Sequence, residues 1–282
     1  MGSQLVGQRA IIVGGGSGIG FGSARHLAAD GATVTIVGRT AARLERASAE
    51  LAAGGLQVGW VTCDAMDSES VREAVAAASD DGGRLDIAVV VPGQGGIKPV
   101  LLFDSDEFSA NVDGNLRPVF NLLKWSGRAM VRNGSGSFVA ISSTAAAFSA
   151  RFLAGYSAGK AAVDQLVRVA ADELGSLGIR VNSVRPGLTR TPPAERSLEN
   201  QALSSAFLDG QPIRRHGEIA DIAAAVRYLA GPESSWVTGQ HLAVDGGHTL
   251  RAFVDYSEIV DMADARAEIL GNPRLAPEGP HI

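Results

Sequence analysis

The sequence predicts an α/β fold: a doubly wound parallel sheet of about seven strands, with helices on both faces, in a single domain. Three observations predict it. Short apolar runs alternate with segments whose apolar residues recur at helical spacing, which implies a parallel sheet covered on both sides. A glycine-rich turn, Gly14-Gly15-Gly16-Ser17-Gly18-Ile19-Gly20, joins the first run to the first helical segment. Gly18, Ser143 and Pro186 all fall at the carboxyl ends of apolar runs, where open α/β sheets bind ligands.

Composition bounds the function. A chain of 282 residues allows one or two domains. Its 45% hydrophobic content suits a large core, and a net charge of −5 offers no nucleic-acid or anionic-membrane surface. Cys63 is the only cysteine, which excludes an intrachain disulfide and fits a reducing compartment. There is no charged-then-apolar leader and no apolar run of about 18 residues, so the expectation is a cytoplasmic protein without a membrane span. His26, His216, His241, His248 and His281 show no metal-ligand spacing, so no metal site is expected.

In chain order, Arg9–Val13 reads as a buried strand, the glycine turn follows, and a helix continues through Ala24, Leu27 and Ala28. Ala32–Val37 completes a strand-helix-strand unit. Glycines at 14, 18 and 20 let the backbone approach a ligand, and the helix start presents free N–H groups to a pyrophosphate. This is a Rossmann-like, dinucleotide-binding arrangement. The second strand ends at Gly38-Arg39, where NAD-binding folds place a carboxylate for the ribose 2′-hydroxyl. Arg39 can instead pair with a 2′-phosphate, which favours NADP(H) and leaves NAD(H) possible; the alternative is a solvated arginine, like Arg43 and Arg46. Leu56–Cys63 is a third strand; Asp64 after it either meets an adenine amine or caps the helix running from Asp67 or Ser68 to Ala78. Leu85–Val91 is a fourth, ending in the loop Pro92-Gly93-Gln94-Gly95-Gly96. Residues 104–132 read as a helix with a break or kink near Pro118. Ser137–Ile141 and Ile179–Val184 are strands five and six, the latter closed by Arg185-Pro186-Gly187.

Ser143 to Lys160 carries the chemistry. A helix starting near Tyr156 sets Tyr156 and Lys160 four residues apart on one face, and Ser143 lies at the mouth of the preceding strand. A free phenol, with a pKa near ~10, exchanges protons poorly at neutral pH. A nearby cation favours the phenolate, and bringing it toward ~7 takes about 4 kcal/mol of differential stabilisation. Tyr156 can then give a proton to a carbonyl oxygen or take one from an alcohol, while Ser143 hydrogen-bonds the same oxygen.

From about residue 5 to 247 the chain resembles the short-chain dehydrogenases/reductases. The resemblance rests on Gly14-x-x-x-Gly18-Ile19-Gly20, Asp64, Asn115-Leu116, Ser143, Tyr156-x-x-x-Lys160, Asn182, Pro186-Gly187 and Val244-Asp245-Gly246-Gly247. It implies Tyr156 as acid/base, with Lys160 lowering its pKa and holding the nicotinamide ribose. It also implies Ser143 orienting the substrate oxygen and Asn115 supporting a water-linked proton relay. Cofactor contacts are implied at Gly14, Gly16, Ser17, Gly18, Ile19 and Gly20, at Arg39, Asp64, Ala65, Pro92 and Gly93, and at Tyr156 and Lys160. Pro186, Gly187, Thr189 and Thr191 would hold the carboxamide and phosphates. Dimers or tetramers built through the helices at 104–132 and 156–176 are implied too. Two departures stand out. Val13 replaces the usual threonine, and Val90-Val91-Pro92-Gly93 replaces Asn-Asn-Ala-Gly, which removes side-chain hydrogen bonds behind the cofactor.

Related enoyl reductases carry a longer Tyr–Lys gap, so the short gap here favours C=O/CH–OH interconversion. Ala145, Ala146, Ala147, Phe148, Phe152 and Leu153 either line a pocket for a hydrophobic ketone or alcohol or form core or subunit contacts. Residues 189–216 read as a lid, and Arg151 and Arg190 as solvated cations or anion contacts. Residues 1–247 form the catalytic domain; 248–282 form an extension expected to pack on the body or a neighbour through Phe253–Tyr256 and Ile259-Val260, with 272–282 irregular. The reading is an NADP(H)-preferring carbonyl/alcohol oxidoreductase. The alternatives are an NAD-dependent dehydrogenase of the same kind and a non-catalytic dinucleotide-binding regulator.

Overall fold

The structure, a computed structural model, describes residues 4–80, 82–93, 95–251 and 260–272. Seven strands form one parallel sheet: β1 (Arg9–Val13), β2 (Thr33–Gly38), β3 (Val58–Thr62), β4 (Ile87–Val90), β5 (Gly136–Ile141), β6 (Ile179–Pro186) and β7 (His241–Val244). Their spatial order is β3-β2-β1-β4-β5-β6-β7. The winding therefore reverses between β1 and β4, where Val13 pairs with Val37 on one side and Val90 on the other. A crevice opens at such a reversal, outside the carboxyl ends of the strands.

Apolar residues fill the middles of the central strands β1, β4 and β5 because both faces are covered. Toward one face Ile11, Val13, Ala88, Val90, Phe138 and Ala140 pack against α3 (Ser68–Ala78), α4 (Ser105–Asn133) and α5 (Ala154–Gly175). Toward the other, Ala10, Ile12, Ile87, Val89, Val139 and Ile141 pack against α1 (Gly18–Ala29), α2 (Ala41–Ala53) and a helix at Ile219–Ala230. Strand alternation divides one run of apolar residues between two cores.

Helix ends follow side-chain chemistry. Asp67, not Asp64, caps α3 by accepting from the N–H groups of Glu69 and Ser70. Asp104 caps α4, which stops at Gly134 in the left-handed region (φ 66°). Of the break or kink foreseen near Pro118, the break does not occur: α4 runs unbroken through it. A proline costs an exposed helix about 3 kcal/mol, but here Pro118, Val119 and Leu122 are buried against the sheet, which offsets the missing bond. Residues 189–216 are largely helical, with α6 (Glu195–Glu199) and α7 (Gln201–Gly210) in chain order before the helix at Ile219–Ala230, here α8. Asn200 starts α7 by accepting from the Leu203 N–H at 3.0 Å.

After β7 the chain makes a short 3-10 turn at His248–Leu250 and later a helix, α9 (Met262–Gly271). The packing foreseen for Phe253–Tyr256 and Ile259, and the irregular stretch from Pro273 on, lie outside the described residues. Among the described residues no helix is long and apolar enough to cross a membrane, and no cluster of side chains could hold a metal ion.

Candidate active site

A cavity of about 600 Å³ opens over the carboxyl ends of β1, β2, β4, β5 and β6. At its β1 side the chain turns through Gly14 (φ 84°) and Gly18 (φ 55°), a backbone region that side chains rarely adopt. The Gly14 N–H donates to the Val37 carbonyl at 2.8 Å, which holds the turn against β2. Ser17 precedes α1 in extended conformation and its side chain makes no capping bond. The first N–H groups of α1 thus meet the cavity without a side-chain acceptor, unlike those of α3 and α4. An anion such as a pyrophosphate satisfies such donors. Gly20 does not line the cavity: a Cβ there would stand 2.2 Å from the Gly14 carbonyl oxygen, so this glycine lets α1 pack onto the loop.

Next along the rim stand Arg39, Thr40 and Arg43. A Cβ on Gly16 would lie 3.2 Å from the Arg43 Cγ, so the stem of Arg43 rests on the bare loop. Among the described residues neither arginine forms an ion pair within the chain. Asp64 also lines the cavity; its carboxylate accepts from the Met66 N–H at 3.0 Å rather than capping α3. Ala65 lines the wall beside it, and its carbonyl accepts from the Asn121 amide at 2.9 Å.

The other end of the cavity collects Ser143, Tyr156 and Lys160. Glycines place them. A Cβ on Gly155 or Gly159 would stand 2.8 Å from the Asn111 Cβ or 2.9 Å from the Asn115 Cβ, so α5 crosses α4 at close range. That contact sets the turn of α5 carrying Tyr156 and Lys160. Asn115 is fully buried inside α4, away from the cavity lining, and its amide donates to the Asn111 carbonyl at 2.8 Å. Gly95 lies over the phenol ring: a Cβ there would fall 2.9 Å from the Tyr156 Cδ2.

Lys160 is 1% exposed, and its ammonium donates to the carbonyls of Pro92 (2.8 Å) and Ile141 (2.9 Å). It thereby ties the ends of β4 and β5 to α5. Val90 is buried in the core, and Val91 packs its Cβ against Gly14. Burial lowers the Lys160 pKa to about 7, opposed by the carboxylate of Asp164 one helical turn on. Burial also pushes the Tyr156 phenol above its ordinary value, opposed by a hydrogen bond to Ser143. The foreseen lowering by Lys160 is absent from the chain alone: the Lys160 nitrogen is bonded to carbonyls and lies 5.6 Å from the Tyr156 ring centre. Desolvation penalises both charged forms.

The rim is completed by Pro92, Gly93, Pro186, Gly187, Thr189 and Thr191. A Cβ on Gly187 would meet the Asp245 Cα at 2.9 Å, which explains the paired motifs at 186–187 and 244–247. Thr191 lies against Gly18. The substrate end is walled by Ala145, Leu153, Leu188, Pro193, Ala194 and Phe207. Of the apolar residues foreseen there, Ala145 and Leu153 line it, whereas Phe152 is buried behind it and Phe148 lies beside His248. Arg190 pairs with Glu218 at 3.2 Å, and Arg151 lies over the Phe152 ring; neither lines the cavity. Sequence reasoning passed over Phe207, which nothing local distinguishes. Arg43 was noted only as a further cation of the helix after Arg39, although the nearby side-chain-free Gly16 was a usable signal.

A family model described as enoyl-(acyl carrier protein) reductase matches residues 14–249. Galactitol 2-dehydrogenase (L-tagatose-forming) of Cereibacter sphaeroides is 36% identical over 255 residues, covering 88% of this chain and 97% of that protein. The chain belongs to the short-chain dehydrogenase/reductase family. A short-chain type dehydrogenase/reductase from Mycobacterium ulcerans superposes with a TM-score of 0.90 at 38% identity, over 95% of this chain and 99% of that one. A 7α-hydroxysteroid dehydrogenase, solved with NADH and 7-oxo glycochenodeoxycholic acid, superposes at 0.82 with 33% identity, over 87% of this chain and 95% of that one. As a member, this short-chain dehydrogenase/reductase is an NAD(P)-dependent oxidoreductase acting on alcohol or ketone substrates.

Proposed function

We propose that the protein interconverts uncharged, apolar ketones and secondary alcohols, with NADP(H) preferred over NAD(H). The observation that carries this reading is the layout of one cavity. Two arginines with no ion pair among the described residues stand at the β2 end, a phenol–hydroxyl–ammonium set at the other, and an apolar wall beyond it. Every charged residue of the lining, Arg39, Arg43, Asp64 and Lys160, lies at the nucleotide or catalytic end.

The residues fit the dinucleotide. The uncapped start of α1 and the glycine turn would take the pyrophosphate, Asp64 the adenine amine, and Arg39 with Arg43 the 2′-phosphate. Lys160 would take the nicotinamide ribose, with Pro186, Gly187, Thr189 and Thr191 around the carboxamide and phosphates. When bound, the cofactor supplies or accepts the hydride at the substrate carbon. The proton is the task of this chain. With its pKa raised by burial, Tyr156 is a neutral phenol at pH 7 and can donate its proton to a carbonyl oxygen during reduction. Ser143 donates a hydrogen bond to the same oxygen and stabilises its developing charge. In oxidation Tyr156 takes the proton back, and Lys160, placed beside the ring, favours the phenolate when protonated. The wall of Leu153, Leu188 and Phe207 excludes water and offers no partner to a charged substrate.

Separate fluorescence titrations with NADPH and NADH test the cofactor, and a ketone panel with the tighter-binding one tests the substrate class. A clear NADH preference would overturn the role given to the two arginines. Turnover of polyols alone would overturn the apolar reading. Assembly into dimers or tetramers is proposed through α4 and α5, where Phe120 and Val169 are exposed; light scattering at monomer mass would reject it.

A further inference from the structure

We propose that the C-terminal extension builds part of the substrate cavity of its own chain, with Val260 bracing the wall that selects bulky apolar substrates. This deepens, and rests on, the ketone–alcohol reading above. Phe152, Leu203 and Phe207 form a small buried cluster, and Leu153, Leu188 and Val260 pack against it. Three of these six, Leu153, Leu188 and Phe207, also line the cavity. The cluster is therefore the back of the substrate wall, and among the described residues of the extension Val260 is the one packed against it.

The arrangement is braced from several sides. Leu203 and Phe207 lie one turn apart on α7 and present a single apolar edge. The ring of Phe207 also meets His248 edge-on at 5.4 Å, where the chain leaves the body. Phe152 is the only non-glycine residue with a left-handed backbone (φ 66°) among the described residues. Such a conformation costs on the order of 1 kcal/mol and persists where the surroundings hold it. Here the Phe152 carbonyl accepts from the Lys98 N–H at 2.8 Å while its side chain is buried in the cluster.

Helix α9 anchors Val260 from the other direction. Asp261 caps it, accepting from the Ala263 N–H at 2.7 Å, and Ala265 is only 3% exposed. It touches the 3-10 turn Val100–Leu102. That turn belongs to the loop which, at Gly95, covers the Tyr156 ring. The extension thus bridges the two flaps over the site, the β4–α4 loop and α7. Val260 is a positioning residue: it does not line the cavity and acts through the Phe152, Leu203 and Phe207 cluster behind the wall.

The test uses the full chain with Val260→Ala, and with Ala265→Glu to lift α9. KM and kcat are measured on straight-chain methyl ketones of increasing length, alongside the NADPH Kd and hydrogen exchange of the α7 amides. The expected result is a KM rising about tenfold for long ketones and less than twofold for the shortest. The NADPH Kd stays unchanged, α7 exchange quickens, and Val260→Ile behaves as the parent. A uniform KM change at every length, no change at all, or unaltered α7 exchange would overturn the proposal. A parent enzyme inactive on every ketone would instead sink the substrate reading, and α7 exchange would still decide whether the extension holds the wall.

Discussion

Replacing Lys160 with methionine separates what this residue does for folding from what it does for chemistry. The side chain is 1% exposed, and burial lowers its pKa from 10.5 to about 7. A base with a depressed folded-state pKa destabilises the fold in full below that value, and the penalty is relieved as pH rises toward the unfolded-state value. Between pH 7 and 10.5 the unfolded chain therefore binds the extra proton, and stability climbs by up to about 1.4 kcal/mol per pH unit. From pH 6 to pH 9 Lys160 should contribute a rise of about 2–3 kcal/mol that Lys160→Met lacks. The comparison of slopes cancels the hydrogen bonds to Pro92 and Ile141, which are lost in the variant at both pH values. Urea unfolding of parent and variant at pH 6 and pH 9 reads the difference directly. At the same time the variant should lose the charge beside Tyr156, and its turnover should fall. Parallel pH dependences in the two proteins would refute the picture of a charge held in a dry site, whatever happened to activity.

Other perturbations read other parts of the site. Tyr156→Phe should lower kcat by roughly 10²–10⁴-fold while the cofactor Kd stays within about threefold, because the phenol moves the proton and does not hold the nucleotide. Gly95→Ala would bring a methyl within 2.9 Å of the Tyr156 ring; displacing the phenol should cost on the order of 10–100-fold in kcat, with the midpoint of unfolding little moved. Arg39→Ser and Arg43→Ser should each weaken NADPH by roughly tenfold and leave the NADH Kd as it was, measured by fluorescence titration. Equal losses for both cofactors would point to loop damage instead.

What was legible in the sequence was whatever depends on neighbours along the chain. Arg9–Val13 could be read as a buried strand because every position from Ala10 to Val13 is apolar, and the glycine turn because Gly14 and Gly18 take a backbone that side chains rarely adopt. Tyr156 and Lys160 could be paired because one helical turn brings them together. The misreadings arose where a distant residue decides. Asp64 and Asp67 are both plausible caps by composition, and only the final course of the chain after β3 gives the role to Asp67. Pro118 stays helical because the sheet buries its turn. Lys160 was expected to act on the phenol, yet its nearest partners are carbonyls of residues far away in sequence, at the ends of β4 and β5. That last difference bears on the chemistry. An ammonium held by Pro92 and Ile141 is kept at a set distance from the ring whether or not the phenol is ionised. Its influence on Tyr156 is then fixed by the sheet, so the Val90-Val91 departure at the end of β4 acts through the position of the Pro92 carbonyl. A substitution at Val91 that shifts this carbonyl should move the alkaline limb of the pH–rate profile, although the Val91 side chain carries no polar atom.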